Sequence, residues 1–264
     1  MKESPDVGEE SYRRHARLTD KVALTTGADS GIGQAVALVF AREGADVVIG
    51  YLNEEGDARE TQRLVESAGR RARLVPGDLA DETQCRQFTE KAVKKLGRID
   101  GLVNNAAYQD KAVEQFEELS FERVERAFRV DILAMFHLVC YALPHLAEGS
   151  SIINVASIQA YQPTPSILDY ASTKGAIVTF TKDLAQDLIK RGIRVNSVAS
   201  GPVWTPLIVQ SFDQKKIDSF GENSPVTRPA QPAELAPAFV FLASEEASYI
   251  NGEILGVTGG KPLG

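Results

Sequence analysis

Cysteine is scarce in this chain. Cys85 and Cys140 are the two present among 264 residues, too few for a disulfide framework and suited to a reducing compartment. His15, His137 and His145 are scattered without the spacing of a metal site, and neither a carboxylate pair nor a CxxC motif stands out, so no catalytic metal is expected. No run of about 18 apolar residues occurs, so no spanning helix is expected. The first twenty residues, MKESPDVGEESYRRHARLTD, lack the apolar stretch of a secretory signal. An excess of positive charge is missing too. Lys and Arg number 29 against 36 Asp and Glu, for a net charge of −7, which argues against a broad cationic surface for nucleic acid or an anionic membrane. What is present is 43% hydrophobic and 25% charged, the balance of an ordinary globular protein long enough to bury a large core. The expectation is a soluble, cytoplasmic, single-domain protein.

Short apolar runs alternate with longer amphipathic segments. The runs lie at 22–26, 47–49, 73–75, 102–104, 152–155, 195–198 and 254–257. They are rich in Val and Ile and continuous rather than alternating, as strands buried on both faces require. After Gly31, the residues Ile32, Ala35, Val36, Val39 and Phe40 form a helical stripe, which stops at Arg42-Glu43-Gly44. Another segment opens at Asp81 and runs to Gly97. Strand and helix alternating this often imply right-handed crossovers, and so a doubly wound α/β domain with about seven parallel strands. Residues 1–20 read as a polar arm and 21–264 as the domain. The long connection at 202–229, with Pro202, Pro206, Pro225 and Pro229, is expected to form a substrate lid.

The first strand runs into Thr26-Gly27-Ala28-Asp29-Ser30-Gly31-Ile32-Gly33, and the helix begins inside that motif. Glycines here let the backbone turn tightly and approach a pyrophosphate held on the helix N-terminus. The position between first strand and amphipathic helix makes this a dinucleotide signal.

The spacing is TGxxxGxG, and with it the chain resembles the short-chain dehydrogenase/reductase family. Asp78-Leu79 is similar to the family's adenine-contacting pair, and Asn104-Asn105-Ala106-Ala107 to its NNAG motif. Ser157 precedes Tyr170 by thirteen positions, Tyr170 to Lys174 matches YxxxK, and Gly201-Pro202-Val203-Trp204-Thr205 is similar to the nicotinamide loop. The resemblance covers residues 21–260 and implies a Rossmann fold. The arm, ADSGIG and the Tyr170 segment resemble the branch described as glucose/ribitol-dehydrogenase-like. The cofactor set implied is Gly27, Asp29, Ser30, Gly31, Ile32, Gly33, Tyr51, Leu52, Asp78, Leu79, Asn104, Ala106, Ala107, Tyr170, Lys174, Gly201, Val203 and Thr205. At the end of the second strand Tyr51 stands where a carboxylate would bond the ribose diol, and no Arg or Lys follows at once. NAD(H) and NADP(H) therefore both stay open.

The resemblance implies hydride exchange between a nicotinamide cofactor and the alcohol or carbonyl of a small molecule. Tyr170 is the acid/base, its phenol lowered by the Lys174 ammonium and the nicotinamide. Ser157 bonds the substrate oxygen, and Lys174 also binds the nicotinamide ribose. Gln159, Tyr161 and Trp204, with Gln162, Ile208, Phe212 and Phe220, fall where substrates of the family bind. A homotetramer is implied as well, and Leu133, Met135, Phe136 and Leu138 fit its interface. Three positions depart from the family pattern. Asp131 stands in place of an Asn that helps hold a relay water, Ala107 replaces a glycine, and Ser200 replaces a proline. Asp131 is expected to tighten Lys174 and retune proton relay, Ala107 to crowd the cofactor if its φ is unusual, and Ser200 to cost rigidity. Two alternatives follow: a ketoreductase of a specialised pathway, and a dinucleotide-binding protein with weakened or lost turnover.

Overall fold

The computed structural model describes residues 5–264; residues 1–4, the start of the expected arm, lie outside the described residues. Each apolar run forms a strand: β1 (Val22–Thr25), β2 (Asp46–Tyr51), β3 (Ala72–Pro76), β4 (Ile99–Asn104), β5 (Leu146–Ser157), β6 (Arg194–Ser200) and β7 (Ile254–Val257). They pair in parallel in the order β3-β2-β1-β4-β5-β6-β7. β1, β2, β4 and β6 are buried along their whole length, because helices cover both faces of the sheet.

The helices are α1 (Gly31–Arg42), α2 (Glu55–Ser67), α3 (Glu82–Leu96), α4 (Phe121–Phe128), α5 (Ala134–Ala142), α6 (Leu168–Leu188), α7 (Pro206–Ser211), α8 (Gln214–Asp218) and α9 (Pro232–Ala243). On one face α1, α2 and α9 share a core with β1 and β2. On the other, α3, α5 and the end of α6 close over Leu24, Leu102 and Ile152. Phe40 of α1 and Phe239 of α9 are fully buried, each stabilising the domain by about 1.5–3 kcal/mol over exposure. Local chemistry sets the helix ends. Asp81 accepts the Thr83 N–H at 2.8 Å, and Gly97 ends α3 at φ 85°, a left-handed conformation that favours glycine.

A π-helical turn (Arg129–Leu133) joins α4 to α5. The rod Phe121–His145 is 25 residues long, with a mean hydropathy of 1.4 over its most apolar 18 residues. Counting uninterrupted apolar residues does not find it, because Arg123, Arg126 and Asp131 punctuate it. Those residues also tie the rod into the domain. Arg123 pairs with Asp169 and Arg126 with Asp78, and Asp131 is buried.

The described part of the arm, 5–20, lies against its own domain. Asp6 N–H donates to Gln231 and Ala233 N–H to Asp6 O, Arg42 donates to the carbonyls of Gly8, Glu9 and Tyr12, and Leu18 is buried. The hub is Glu43, whose fully buried carboxylate accepts from Tyr12 Oη at 2.5 Å, His15 N–H at 3.1 Å and Arg17 N–H at 2.8 Å, and pairs with the Arg17 guanidinium at 3.3 Å. Burial opposes its charge, but these donors outweigh burial and hold the carboxyl below its usual range.

Removing this acceptor leaves several donors without a partner. Glu43→Ala is expected to lower unfolding stability by about 2–3 kcal/mol, read from the denaturant midpoint. Since the folded carboxyl titrates below its unfolded value of about 4.3, the wild type keeps this contribution above that pH and loses it as pH falls through the depressed folded value. The gap between wild type and variant therefore closes in acid.

Candidate active site

The cleft lies where the sheet order reverses, between β1 and β4, at the carboxyl ends of the strands, the place where open α/β sheets bind ligands. It encloses about 580 Å³. The turn from β1 into α1 forms one wall and is bolted to the segment after β4. Thr26 Oγ1 accepts the N–H groups of Asn105 and Ala106, each at 3.0 Å, and Asn105 Nδ2 donates to the carbonyls of Thr26 and Gly27, each at 2.9 Å. Gly33 sits under this lock, and a Cβ there would collide with Gly27 O and the Asn105 amide. Gly31 has φ +54°, and its missing Cβ would lie 3.0 Å from Thr205 Cγ2. The first turn of α1 carries no acidic side chain, so its N–H groups and positive dipole end are available to a phosphate.

From the cofactor set, Gly27, Asp29, Ser30, Gly31, Ile32, Tyr51, Leu52, Asp78, Leu79, Ala106, Ala107, Tyr170, Lys174 and Thr205 line this cleft. Gly33, Asn104, Gly201 and Val203 are not among the lining residues. Gly33 supports the turn from beneath, and Asn104 builds a buried rung from β4 to β5, donating to Asn154 Oδ1 at 2.8 Å while Asn154 donates to Thr181 at 3.0 Å. Asp29 is pushed up by burial and by the nearby Glu54 and Asp57 carboxylates. Those two acids line the cleft beside Tyr51.

Tyr170 and Lys174 stand one turn apart on α6, with Lys174 only 1% exposed. Its ammonium donates to Val155 O at 3.2 Å, lies 3.7 Å from Asp131 Oδ2, and sits 5.0 Å from the centre of the Tyr170 ring. Asp131, fully buried in the π-helical turn, accepts the Tyr108 N–H at 2.7 Å and the Thr173 hydroxyl at 2.8 Å. Burial pushes its carboxyl up, while Lys174, Tyr108 and Thr173 pull the other way. Ser157 accepts the Gln159 N–H at 3.2 Å and donates to Ser200 O at 3.5 Å. For the phenol of Tyr170, burial outweighs the lowering by Lys174 and Ser157, and Asp131 adds to the rise, so the net direction is upward. The expected lowering by Lys174 is thus present but not decisive within the protein alone.

Two of the three departures cost little. Ala107 is not among the described non-glycine residues with positive φ, which are Ala16, Asp20 and Thr227, so its Cβ needs no strained backbone. Ser200 ends β6 in register with Ser157 on one side and Val257 on the other, so strand pairing supplies the order that a proline ring would give. Of the expected substrate residues, Ser157, Gln159, Tyr161 and Trp204 are not among the cleft-lining residues. Gln159 is engaged by Thr164, accepting its N–H at 2.7 Å and donating to its hydroxyl at 3.1 Å, and Phe212 packs on Phe220. The cleft instead uses residues 108–111, Leu207, Gln210 and Arg126, which local sequence does not single out; Arg126 reaches Asp78, its partner, across 48 positions. Of the four interface candidates, Met135 and Leu138 belong to the core, and Leu133 and Phe136 are exposed. Among the described residues no group of three or more His, Cys, Asp or Glu is placed to hold a metal ion.

Residues 27–261 match the family described as Enoyl-(Acyl carrier protein) reductase. The chain is 48% identical to "Uncharacterized oxidoreductase YhdF" of Bacillus subtilis, with 99% of this chain and 90% of that one covered. It is 45% identical to the chloroplastic "NADPH-dependent aldehyde reductase 1" of Arabidopsis thaliana, over 98% of this chain and 92% of that one. To the "Glucose and ribitol dehydrogenase" of Daucus carota it is 46% identical, over 98% and 91%. Among solved structures, a short chain dehydrogenase from Burkholderia cenocepacia in complex with NADP superposes with TM-score 0.87 at 31% identity, over 92% of this chain and 98% of that one. A 3-ketoacyl-(acyl-carrier-protein) reductase from Brucella melitensis complexed with NADH gives 0.83 at 34% identity, over 92% and 98%.

Gly33→Ala, which drives a Cβ into the Gly27 carbonyl, is expected to weaken NADH and NADPH binding by about tenfold or more, the cost of displacing a positioned contact by 1–2 kcal/mol. Fluorescence titration reads it, with the melting curve as a control for folding.

Proposed function

We propose that this chain, which belongs to the short-chain dehydrogenase/reductase family and is an NAD(P)-dependent oxidoreductase, interconverts the alcohol and carbonyl of a small molecule with Tyr170 as general acid/base. The observation that carries the reading is that Tyr170 and the buried Lys174 line the same cleft as the glycine turn, with the Asp131 carboxylate 3.7 Å from the Lys174 ammonium. The turn and the open N-terminus of α1 would hold the pyrophosphate, Asp78 and Leu79 the adenine, and Lys174 the nicotinamide ribose. When bound, the nicotinamide supplies the hydride donor or acceptor.

The protein's own groups handle the proton. In oxidation, Tyr170 Oη takes the hydroxyl proton of the alcohol as the C–H hydride departs; in reduction it returns a proton to the carbonyl oxygen. Ser157 Oγ donates to the same oxygen and steadies its developing charge. Lys174 favours the phenolate, while the Asp131 carboxylate offsets part of that effect. Residues 108–111 with Leu207 and Gln210 form a mixed polar and apolar wall that suits a small aldehyde, ketone or polyol. The names of the aldehyde reductase and the glucose and ribitol dehydrogenase relatives support the same class. The exposed Leu133 and Phe136, the latter packed on Phe180 at 4.6 Å, support a homotetramer built on α5 and the turn before it.

Titration with NADH and NADPH, followed by turnover on a panel of carbonyls and polyols, tests the reading. Tyr170→Phe is expected to bind the dinucleotide normally and to lower kcat by about 10²–10⁴-fold; undiminished turnover in that variant would sink the assignment. Binding without turnover in the wild type would favour a dinucleotide-binding protein without hydride transfer.

Asp131→Asn removes a charge that raises the phenol. The pH limb governed by Tyr170 is then expected to move about one pH unit lower in both directions of reaction. A limb that stays in place would show that Asp131 does not act on Tyr170.

A further inference from the structure

Resting on the reading of Tyr170 as acid/base, we infer that Arg123 and Asp169 are positioning residues, a buried strut that couples the substrate wall and α7 to the catalytic helix. Arg123 Nε and Nη2 grip the two oxygens of Asp169 at 2.7 and 3.0 Å, and Nη1 donates to Lys111 O at 2.5 Å. Both side chains are at least nine-tenths buried. Asp169 is the residue before Tyr170, and Lys111 belongs to the cleft wall.

α7, near the start of the long connection after β6, packs on that same wall. Ser211, the last residue of α7, accepts the Ala112 N–H through its carbonyl at 2.9 Å, and its Oγ, whose one proton is shared with Leu207 O at 2.7 Å, lies 3.1 Å from Gln109 O. Val113 N–H donates to Ser166 O at 2.9 Å, just ahead of α6. At the other end the wall reaches Asp131 through the Tyr108 N–H. Three elements distant in sequence therefore meet on residues 108–113, and the Arg123 fork joins them to Tyr170.

Stability does not explain the pair. Two ions taken out of water gain little over apolar groups of equal size, whereas a planar guanidinium fixes three acceptors in one geometry and an ammonium cannot. A wall displaced from this geometry misplaces the substrate carbonyl relative to Tyr170, while the glycine turn keeps its own lock on Asn105 and Ala106.

The test is the double variant Arg123→Met/Asp169→Leu, which removes both charges and keeps the volume. It is expected to fold and to bind dinucleotide as the wild type does. The Ala112 and Val113 amides should exchange hydrogen about tenfold faster or more as the wall loosens, while Leu24 and Ile152 in the sheet stay protected. For the carbonyl substrate kcat should fall about tenfold with a smaller change in KM, since misplacement at this scale costs orientation of the bound carbonyl. Unchanged exchange at Ala112 and Val113 together with an unchanged kcat would overturn the strut. If the wild type turns over no carbonyl or alcohol, the hydride-transfer reading fails, and the exchange measurement alone decides the strut. Should the double variant not fold, Arg123→Lys keeps a charge opposite Asp169 but releases Lys111 O, and the same exchange and kcat readings apply.

Discussion

A lysine ammonium buried in the middle of the domain is the constraint around which this structure is arranged. Lys174 is only 1% exposed, and an unpaired charge there would be costly enough to deprotonate or to unfold its surroundings. The fold answers with a carbonyl from β5, a carboxylate from the π-helical turn and the face of the Tyr170 ring. Each answer comes from a different element. The end of β5, the α4–α5 rod and α6 must therefore hold their relative positions whenever the lysine is charged, and the cleft is preorganised by the same contacts that satisfy the ion.

Asp131 ties that arrangement to the electrostatics of the Tyr170 phenol. A neutral amide in its place would donate as well as accept and carry no charge. The carboxylate accepts from Tyr108 and Thr173 and faces Lys174, so it steadies the lysine and weakens its pull on the phenol. Positional order and acidity trade against each other at one residue. Ala107 and Ser200 carry no comparable cost, because the first has an ordinary φ and the second is held in a strand. Charged groups at the edges repeat the pattern at lower stakes. Glu43 gathers the arm onto the end of α1, and Arg126 links the rod to Asp78. The helix that presents its N-terminus to the cleft is thus anchored at its far end by the arm.

Much of the fold can be read from the chain because its signals are local. A strand buried on both faces needs a continuous run of Val and Ile, and each of the seven runs forms one. The caps at Asp81 and Gly97 bound α3 because an N-cap carboxylate and a left-handed glycine act within one turn. The glycine turn and the Tyr170–Lys174 interval also act within one turn, and so they point to the cleft without any knowledge of packing. The wall of the cleft beyond the glycine turn is different. Gln159 and Tyr161 lie near Ser157 in sequence, but Gln159 is engaged by Thr164, and the wall is built from residues 108–111 and α7. Met135 and Leu138 look like Leu133 and Phe136 in sequence, yet the turn of the helix sends the first pair inward and the second outward.

The sequence by itself determined the parallel α/β order, the dinucleotide turn and the pairing of a phenol with an ammonium on one helix face, since each depends on residues within a turn or two of one another. Tertiary structure decided what surrounds them: that Asp131 meets Lys174 across 43 positions, that Arg123 finds Asp169 46 positions away, and that the arm lies on its own domain. The reason is physical. Hydrophobic periodicity and caps act along the chain, whereas the desolvation of a buried charge can be offset only by whatever the packing brings within about 4 Å.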